Sequence, residues 1–313
     1  TKTSDTLTAD KNIEFEPLSF PKPALSLAAI ATEKGAEEKI SSGLSKLRAE
    51  DPTFTFTNNT ETKELIISGM GEPHIDVIVS KLKSRYGASV TLKEPKVAYR
   101  ETIRKKVTAE GKHKKQSGGH GQYGHVKIEF EPGTKEELEF AENVFGGSVP
   151  KNYFPAVEKG LQECIASGVV AGYPVVNLKA TLFDGSYHPV DSSEMAFKMA
   201  AHIAFKSGLE QANPVLLEPI GTLKVLVPDS YTGDIMGDVN KRRGRILGMN
   251  PSDKSGISEV TAEVPMAEMH KYAIDLRSMT QARGSFEFEF TRYEEAPANV
   301  AQKVIEESKK NKE

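Results

Sequence analysis

The stretch Leu65-Ile-Ile-Ser-Gly-Met-Gly-Glu-Pro-His-Ile-Asp-Val-Ile-Val-Ser-Lys-Leu-Lys-Ser-Arg-Tyr-Gly87 carries a strand, a helix and a stop in succession. Residues 65–67 are a short apolar run rich in β-branched side chains. From Glu72 to Tyr86 the apolar positions Ile75, Ile78, Val79 and Leu82 recur at helical spacing along one face. Gly87 supplies the residue that can close a helix in the left-handed conformation, ahead of a strand at residues 89–92. Working outward, residues 24–31 read as a strand and Glu37 to Glu50 as a helix with Ile40, Leu44 and Leu47 inward. Asp51-Pro52 stops that helix, residues 53–57 alternate as a strand, and Asn58-Asn59 reads as a turn. The resulting order is β-α-β-β-α-β, the ferredoxin-like split βαβ.

The same order recurs near the other end with little sequence similarity. Strands are expected at residues 223–227, 246–249, 257–264 and 285–290. Between them lie a helix at 232–243, closed by Gly244, and one at 266–280 with Met266, Met269, Ala273 and Leu276 inward. Residues 296–313 form a charged tail with helical character. The expected class is therefore α+β, with one ferredoxin-like domain at 17–94, another at 217–295 and a different domain at 95–216 between them. Residues 1–16 and the prolines that follow suit a linker.

Composition limits the function classes. At 313 residues, 38% hydrophobic and 27% charged, the chain is of ordinary globular type. Its net charge of −3 means that any nucleic-acid contact has to come from local segregation. Between Lys81 and Lys115 twelve Lys or Arg stand against three Glu, so that segregation exists. One cysteine, Cys164, excludes an intrachain disulfide and suits a reducing compartment. No apolar run has the length of a membrane span, and the first residues lack a signal-peptide core and an initiator Met. The expectation is a soluble, cytoplasmic, monomeric chain cut from something longer.

In the middle domain, residues 99–107 and 122–130 read as paired strands that project a basic glycine-rich loop, Lys112 to His125. Gly118, Gly119, Gly121 and Gly124 would let the backbone take positive φ and approach a partner closely, with Lys112, Lys114 and Lys115 supplying charge suited to RNA phosphate. A helix at 155–167 and a strand at 175–183 follow, the latter ending at the turn signal Asp184-Gly185. Asp191 with Glu194 forms a capping-box pattern for a helix at 192–207 closed by Gly208. Tyr187 and His188 then lie on the loop before it, which makes a second prong at the tip.

Neither a hydrolytic triad nor a zinc site fits the spacing of the candidate residues. His188, Asp191 and Ser192 are too close in sequence to orient a triad. His113, His120, His125 and Cys164 match no zinc spacing. There is no Gly-x-x-x-x-Gly-Lys-Ser/Thr: the only Gly-Lys pair, Gly111-Lys112, is followed by His113, so this chain is not expected to hydrolyse a nucleotide by itself. Lys241, Arg242, Arg243 and Arg245 fall at a helix C-terminus, where they can offset the macrodipole or meet phosphate, and Arg277 and Arg283 flank the next helix end.

Several motifs, in order along the chain, resemble bacterial elongation factor G. They are Phe15-Glu-Pro-Leu-Ser-Phe-Pro, Ser68-Gly-Met-Gly-Glu-Pro-His74, Gly118-Gly-His-Gly-Gln-Tyr-Gly, Asp184-Gly-Ser-Tyr-His-Pro-Val-Asp-Ser-Ser-Glu-Met-Ala-Phe197, Arg242-Arg-Gly-Arg-Ile-Leu-Gly-Met249 and Thr280-Gln-Ala-Arg-Gly-Ser-Phe286. The resemblance implies the end of domain II, then ferredoxin-like domain III, a domain IV similar to the second domain of ribosomal protein S5, and ferredoxin-like domain V. It further implies a tip of domain IV, made by Gly118, Gly119, His120, Gly121, Gln122, Tyr123, Ser186, Tyr187 and His188, that enters the decoding site beside transfer and messenger RNA. Lys112, Lys114, Lys115, Lys241, Arg242, Arg243, Arg245, Arg277 and Arg283 would contact ribosomal RNA, the domain V residues near the large-subunit stalk base. The chain itself would need no cofactor and no metal. GTP and magnesium would act in the parent protein, whose upstream GTPase domain and domain II are further partners. His120, His125, Pro189 and Lys114-Lys115 depart from the common pattern, so the alternatives are an elongation-factor-G-like paralogue, a ribosomal protection factor, or a stand-alone RNA-binding scaffold.

Overall fold

A computed structural model describes residues 3, 5–9, 13–21, 23–116, 121–253 and 255–310. By packing, residues 1–98 with 219–292 form one unit and residues 99–218 with 293–313 another. In the first unit, β1 (Leu25–Ala31), α1 (Glu37–Glu50), β2 (Thr55–Asn59), β3 (Glu64–Gly69), α2 (Glu72–Tyr86) and β4 (Val90–Lys93) build a sheet of order β2-β3-β1-β4. That is the ferredoxin-like arrangement. Both helix spans are as expected, and Gly87 closes α2 at φ +59°. Asn58 and Asn59 end β2 rather than turning; the turn lies at 60–63, with Lys63 at φ +55°. Leu44, Phe54, Ile67, Ile75 and Leu82 are wholly buried, each contributing about 2 kcal/mol of hydrophobic burial. His74 ties the turn before α2 to the end of α1: its Nδ1 accepts the Met70 amide at 3.1 Å, and its Nε2 bonds Asp51 Oδ2 at 2.9 Å.

The second unit contains β5 (Arg100–Ile103), β6 (Val107–Lys115), β7 (Gln122–Pro132), β8 (Glu139–Glu142), α3 (Phe154–Ile165), β9 (Leu178–Ser186) and α4 (Glu194–Gln211). Its sheet runs β6-β7-β9-β8, with β8 and β9 parallel and the rest antiparallel. From β6 onward the order is β-β-β-α-β-α, the S5-like domain that the resemblance implied. Three features differ from the sequence expectation. The partner of β7 is β6, not residues 99–107, because β5 pairs instead with the start of β10 (Pro214–Pro228). Asp184-Gly185 lies inside β9 and makes no turn: Lys127 pairs with Asp184 but Ile128 with Leu182, so Phe183 is an extra, bulged residue. Helix α4 starts at Glu194 and is capped by Ser193, whose Oγ accepts the Ala196 amide at 3.2 Å; Gly208 lies within it, packed on Phe130.

Helix α4 rests its stripe Ala196, Ala200, Ala204 and Gly208, all buried, on β6 and β7. A Cβ on Gly124 would lie 2.4 Å from the Ala196 carbonyl oxygen, and one on Gly111 would lie 2.0 Å from that of Ala200. Gly124 therefore serves close packing; neither it nor Gly121 has positive φ.

After β10, the first unit continues with α5 (Thr232–Lys241), β11 (Arg245–Pro251), β12 (Ile257–Pro265), α6 (Tyr272–Met279) and β13 (Ser285–Glu295), and the sheet order is β11-β12-β10-β13. This repeats the ferredoxin-like order. Helix α5 closes at Arg243, a non-glycine residue at φ +59°, rather than at Gly244, which packs on Val239. The single helix expected at 266–280 is two pieces, a 3-10 turn at Met266–Glu268 and then α6, with Tyr272 and Leu276 buried. Helix α7 (Ala298–Lys310) belongs to the second unit. Among the described residues no helix is long and apolar enough to cross a membrane.

Candidate nucleic-acid interface

The hairpin of β6 and β7 shortens the expected loop, because Lys112, Lys114 and Lys115 are strand residues opposite His125, Tyr123 and Gln122. The connection is only 116–121. Gly118, Gly119 and His120 lie outside the described residues. Alternation sends Gly111 and Gly124 toward α4, while Lys112, Lys114, Tyr123 and His125 share the opposite, open face. Lys112 Nζ stands 5.9 Å from the Tyr123 ring centroid.

The end of β9 joins this face. Ser186 Oγ lies 2.7 Å from both Tyr123 Oη and His125 Nδ1, and His125 Nε2 approaches Glu110 Oε1 at 2.9 Å without the alignment of a hydrogen bond. Serine, histidine and glutamate in a row suggest a nucleophile. The Tyr123 hydroxyl already engages the serine oxygen, however, so the row is a brace between β7 and β9.

The loop from β9 to α4 is tied to β7 by backbone contacts. Asp191 Oδ1 accepts the Gly121 amide at 3.0 Å and the Asp191 carbonyl accepts the Tyr123 amide at 2.8 Å. Ser192 Oγ donates to the Tyr123 carbonyl at 2.9 Å and accepts the His188 amide at 2.9 Å. His188 Nδ1 accepts the Val190 and Asp191 amides at 3.3 and 3.1 Å. With Nδ1 an acceptor, the neutral ring carries its proton on Nε2, and the side chain is 51% exposed. His188, Asp191 and Ser192 thus form no proton relay. The capping role expected of Asp191 belongs to Ser193, and Asp191 instead joins the prongs. Local sequence does not reveal this bridge, because the partner Gly121 is 70 residues away.

Charge on the open face is sorted by position. Away from the tip, cations are paired: Lys106 with Glu129 and Glu131, Lys179 with Glu131, Lys127 with Asp184 at 2.8 Å. The Lys127 ammonium, helped by the Gly185 amide, holds the Asp184 carboxyl down at about 2. Among the described residues no carboxylate lies within ion-pair distance of Lys112, Lys114 or Lys115, which leaves their charge for a partner. Gly121, Gln122, Tyr123, Ser186, Tyr187 and His188 gather at this end of the sheet. Tyr187 is half exposed. His113 Nε2 meets Gln122 Oε1 at 2.9 Å, and no cluster of His, Cys, Asp or Glu suited to a metal occurs among the described residues.

The first unit carries the second group of cations. Arg242 departs from expectation: its side chain is 12% exposed and its guanidinium donates to Asp238 at 2.7 Å, to Asp275 and to the Glu268 carbonyl, over the Tyr272 ring. Its donors are consumed inside the fold. Arg243 pairs with Glu268 at 3.0 Å, and Arg283 lies on the Tyr231 ring and donates to its hydroxyl. Lys241, Arg245 and Arg277 are exposed.

Three family models match consecutive stretches of the chain. Residues 20–94 match "Elongation Factor G, domain III", residues 95–213 "Elongation factor G, domain IV", and residues 215–304 "Elongation factor G C-terminus". An "Elongation factor G-like protein" of Thermotoga maritima is 48% identical over 302 residues, 96% of this chain and 44% of that protein. A crystal structure from Thermus thermophilus aligns with TM-score 0.82 at 42% identity, covering 94% of this chain and 44% of the other. The chain thus spans less than half the length of these relatives.

Proposed function

Because the chain belongs to the elongation factor G family, with its domain III, domain IV and C-terminal domain in order, we propose that it is the ribosome-engaging part of a GTP-driven translation factor acting in the cytoplasm. The observation that carries this reading is the tip of domain IV. Two loops are tied by Asp191 and Ser192, three lysines with no ion-pair partner among the described residues stand beside them, and His188 and Tyr187 face solvent.

Such a tip suits RNA whose sequence must not matter. His188 Nε2–H and the Tyr187 hydroxyl can bond phosphate or ribose, and lysine charge adds attraction without reading base edges. Cross-tied loops can transmit a push, since they move as one body. In this reading the tip occupies the decoding site of the small subunit and follows transfer and messenger RNA as they advance. Lys241, Arg245 and Arg277 of the C-terminal domain meet large-subunit RNA near the stalk base. GTP and magnesium act in an upstream GTPase domain of the parent protein, joined through domain II.

The test is single-round translocation by the full-length protein, with messenger movement and phosphate release followed on the same complexes. His188→Ala is expected to slow movement about ten-fold while phosphate release stays within about two-fold; equal loss of both removes the tip from the mechanism. The likeness to the Thermotoga elongation factor G-like protein favours a second reading as a specialised paralogue. Phosphate release by the unaltered protein without messenger movement would support it.

A further inference from the structure

Parallel pairing of β8 with β9, Glu142 opposite Leu182, sends residues 143–148 toward the end of the sheet where Ser186 and His188 lie. That connection is pinned at both sides. The Asn143 amide donates to the Leu182 carbonyl at 2.7 Å, and Val149 is buried against Gly185, where an added Cβ would stand 2.5 Å from Val149 Cγ2. Val144 packs on the core. Phe145 does the opposite and is 93% exposed. Gly146 and Gly147 follow at φ +67° and +72°, with open space where a Cβ would stand, so the backbone presents the ring without walling it in.

A phenyl ring left in water forgoes about 2 kcal/mol of burial. Fixed anchors on both sides show that the exposure is built in. We propose that Phe145 is a third finger of the tip and stacks on an unpaired RNA base; the proposal rests on the reading of the tip as an RNA-contacting surface. A protein partner would favour a ring set in a contiguous apolar patch. In sequence the ring is flanked by Asn143 and Gly146-Gly147-Ser148, with Val144 turned to the core and Glu142 at the loop's start to disfavour phosphate. Base stacking needs only one open ring face, and every base offers its own. The third finger therefore adds grip of the sequence-neutral kind that His188 and the lysines supply.

The experiment places photoreactive p-benzoylphenylalanine at position 145, or separately at 187, in the full-length protein, bound to ribosomes in the pretranslocation state with messenger and transfer RNA. Crosslinking from 145 chiefly to RNA is expected. If 187 crosslinks to RNA and 145 yields only protein adducts or none, this inference fails and the proposed function stands; if neither reaches RNA, both fail. Ring chemistry is checked separately by affinity for the same complexes. Phe145→Ala and Phe145→Leu are expected to lose about ten-fold and Phe145→Tyr less than about two-fold. Leucine equal to phenylalanine would overturn stacking. Because the side chain touches so little of its own fold, these variants keep the domain intact.

Discussion

Asp191 Oδ1 accepts the Gly121 amide at 3.0 Å, a bond that joins two loops 70 residues apart. A charge-assisted bond of this kind contributes about 1.5 kcal/mol where partly exposed. Asp191→Ala is expected to leave the domain folded, with an unchanged far-ultraviolet spectrum, while translocation falls about ten-fold. Asp191→Asn keeps one acceptor oxygen and should fall less. If alanine translocates as fast as the unaltered protein, the tip does not work as a single body.

Gly124 and Gly111 set how closely α4 lies on the sheet. Their added Cβ atoms would meet helix carbonyl oxygens at 2.4 and 2.0 Å, and helix backbone cannot step aside as a flexible side chain can. Gly124→Ala and Gly111→Ala are each expected to cost about 3 kcal/mol in urea unfolding. Gly146→Ala, with open space around it but φ +67°, should cost only about 1 kcal/mol.

Elements with a single strong periodicity and a clear stop were legible in the sequence. Helices Glu37–Glu50 and Glu72–Tyr86 fall where apolar spacing and Gly87 put them. Legibility failed where a tertiary partner decides. The polar, lysine-rich β6 lacks an apolar run and is a strand because β7 offers it a ladder. Asp184-Gly185 has turn chemistry, yet Lys127 and a bulge hold it in β9. Within the site, Tyr187 and His188 were readable as loop residues. The bridge made by Asp191 and the exposed ring of Phe145 depend on which loops share an end of the sheet, and local spacing does not encode that. The ion pairs of Arg242 follow the same rule, because its acids Asp238 and Asp275 come from two helices.

Glu101 is 1% exposed and takes five backbone amides, Val169 and Val170 on Oε2 at 2.7 and 2.8 Å, and Ala171, Gly172 and Tyr173 on Oε1 at 2.8, 3.0 and 3.1 Å. Five donors aimed at one buried carboxylate leave no place for an amide nitrogen. Glu101→Gln is expected to destabilise by about 3 kcal/mol in urea unfolding. A loss under about 1 kcal/mol would show that the loop rearranges freely.

Acid should loosen the open face of domain IV. The Lys127 ammonium and the Gly185 amide hold Asp184 at about 2, below the unfolded value of about 3.9. The native state then binds fewer protons than the unfolded chain between these values. Its contribution is complete above pH about 4 and is lost as pH falls through about 2. Asp184→Asn is therefore expected to give a flatter decline of stability across that window in urea titrations at stepped pH. An unchanged slope would remove Asp184 from the acid response.

Arg242 and its neighbour Lys241 should separate stability from binding. Arg242 gives its donors to Asp238, Asp275 and the Glu268 carbonyl, and removing it strands the largely buried Asp238 carboxylate. Arg242→Ala is expected to cost about 3 kcal/mol. Lys241 and Arg277 are exposed, so Lys241→Ala and Arg277→Ala should leave stability within about 0.5 kcal/mol. If they touch ribosomal RNA, each should reduce the slope of log affinity against log salt by about one. A slope lowered by Arg242→Ala at full stability would mean that its guanidinium leaves the acids and meets phosphate after all.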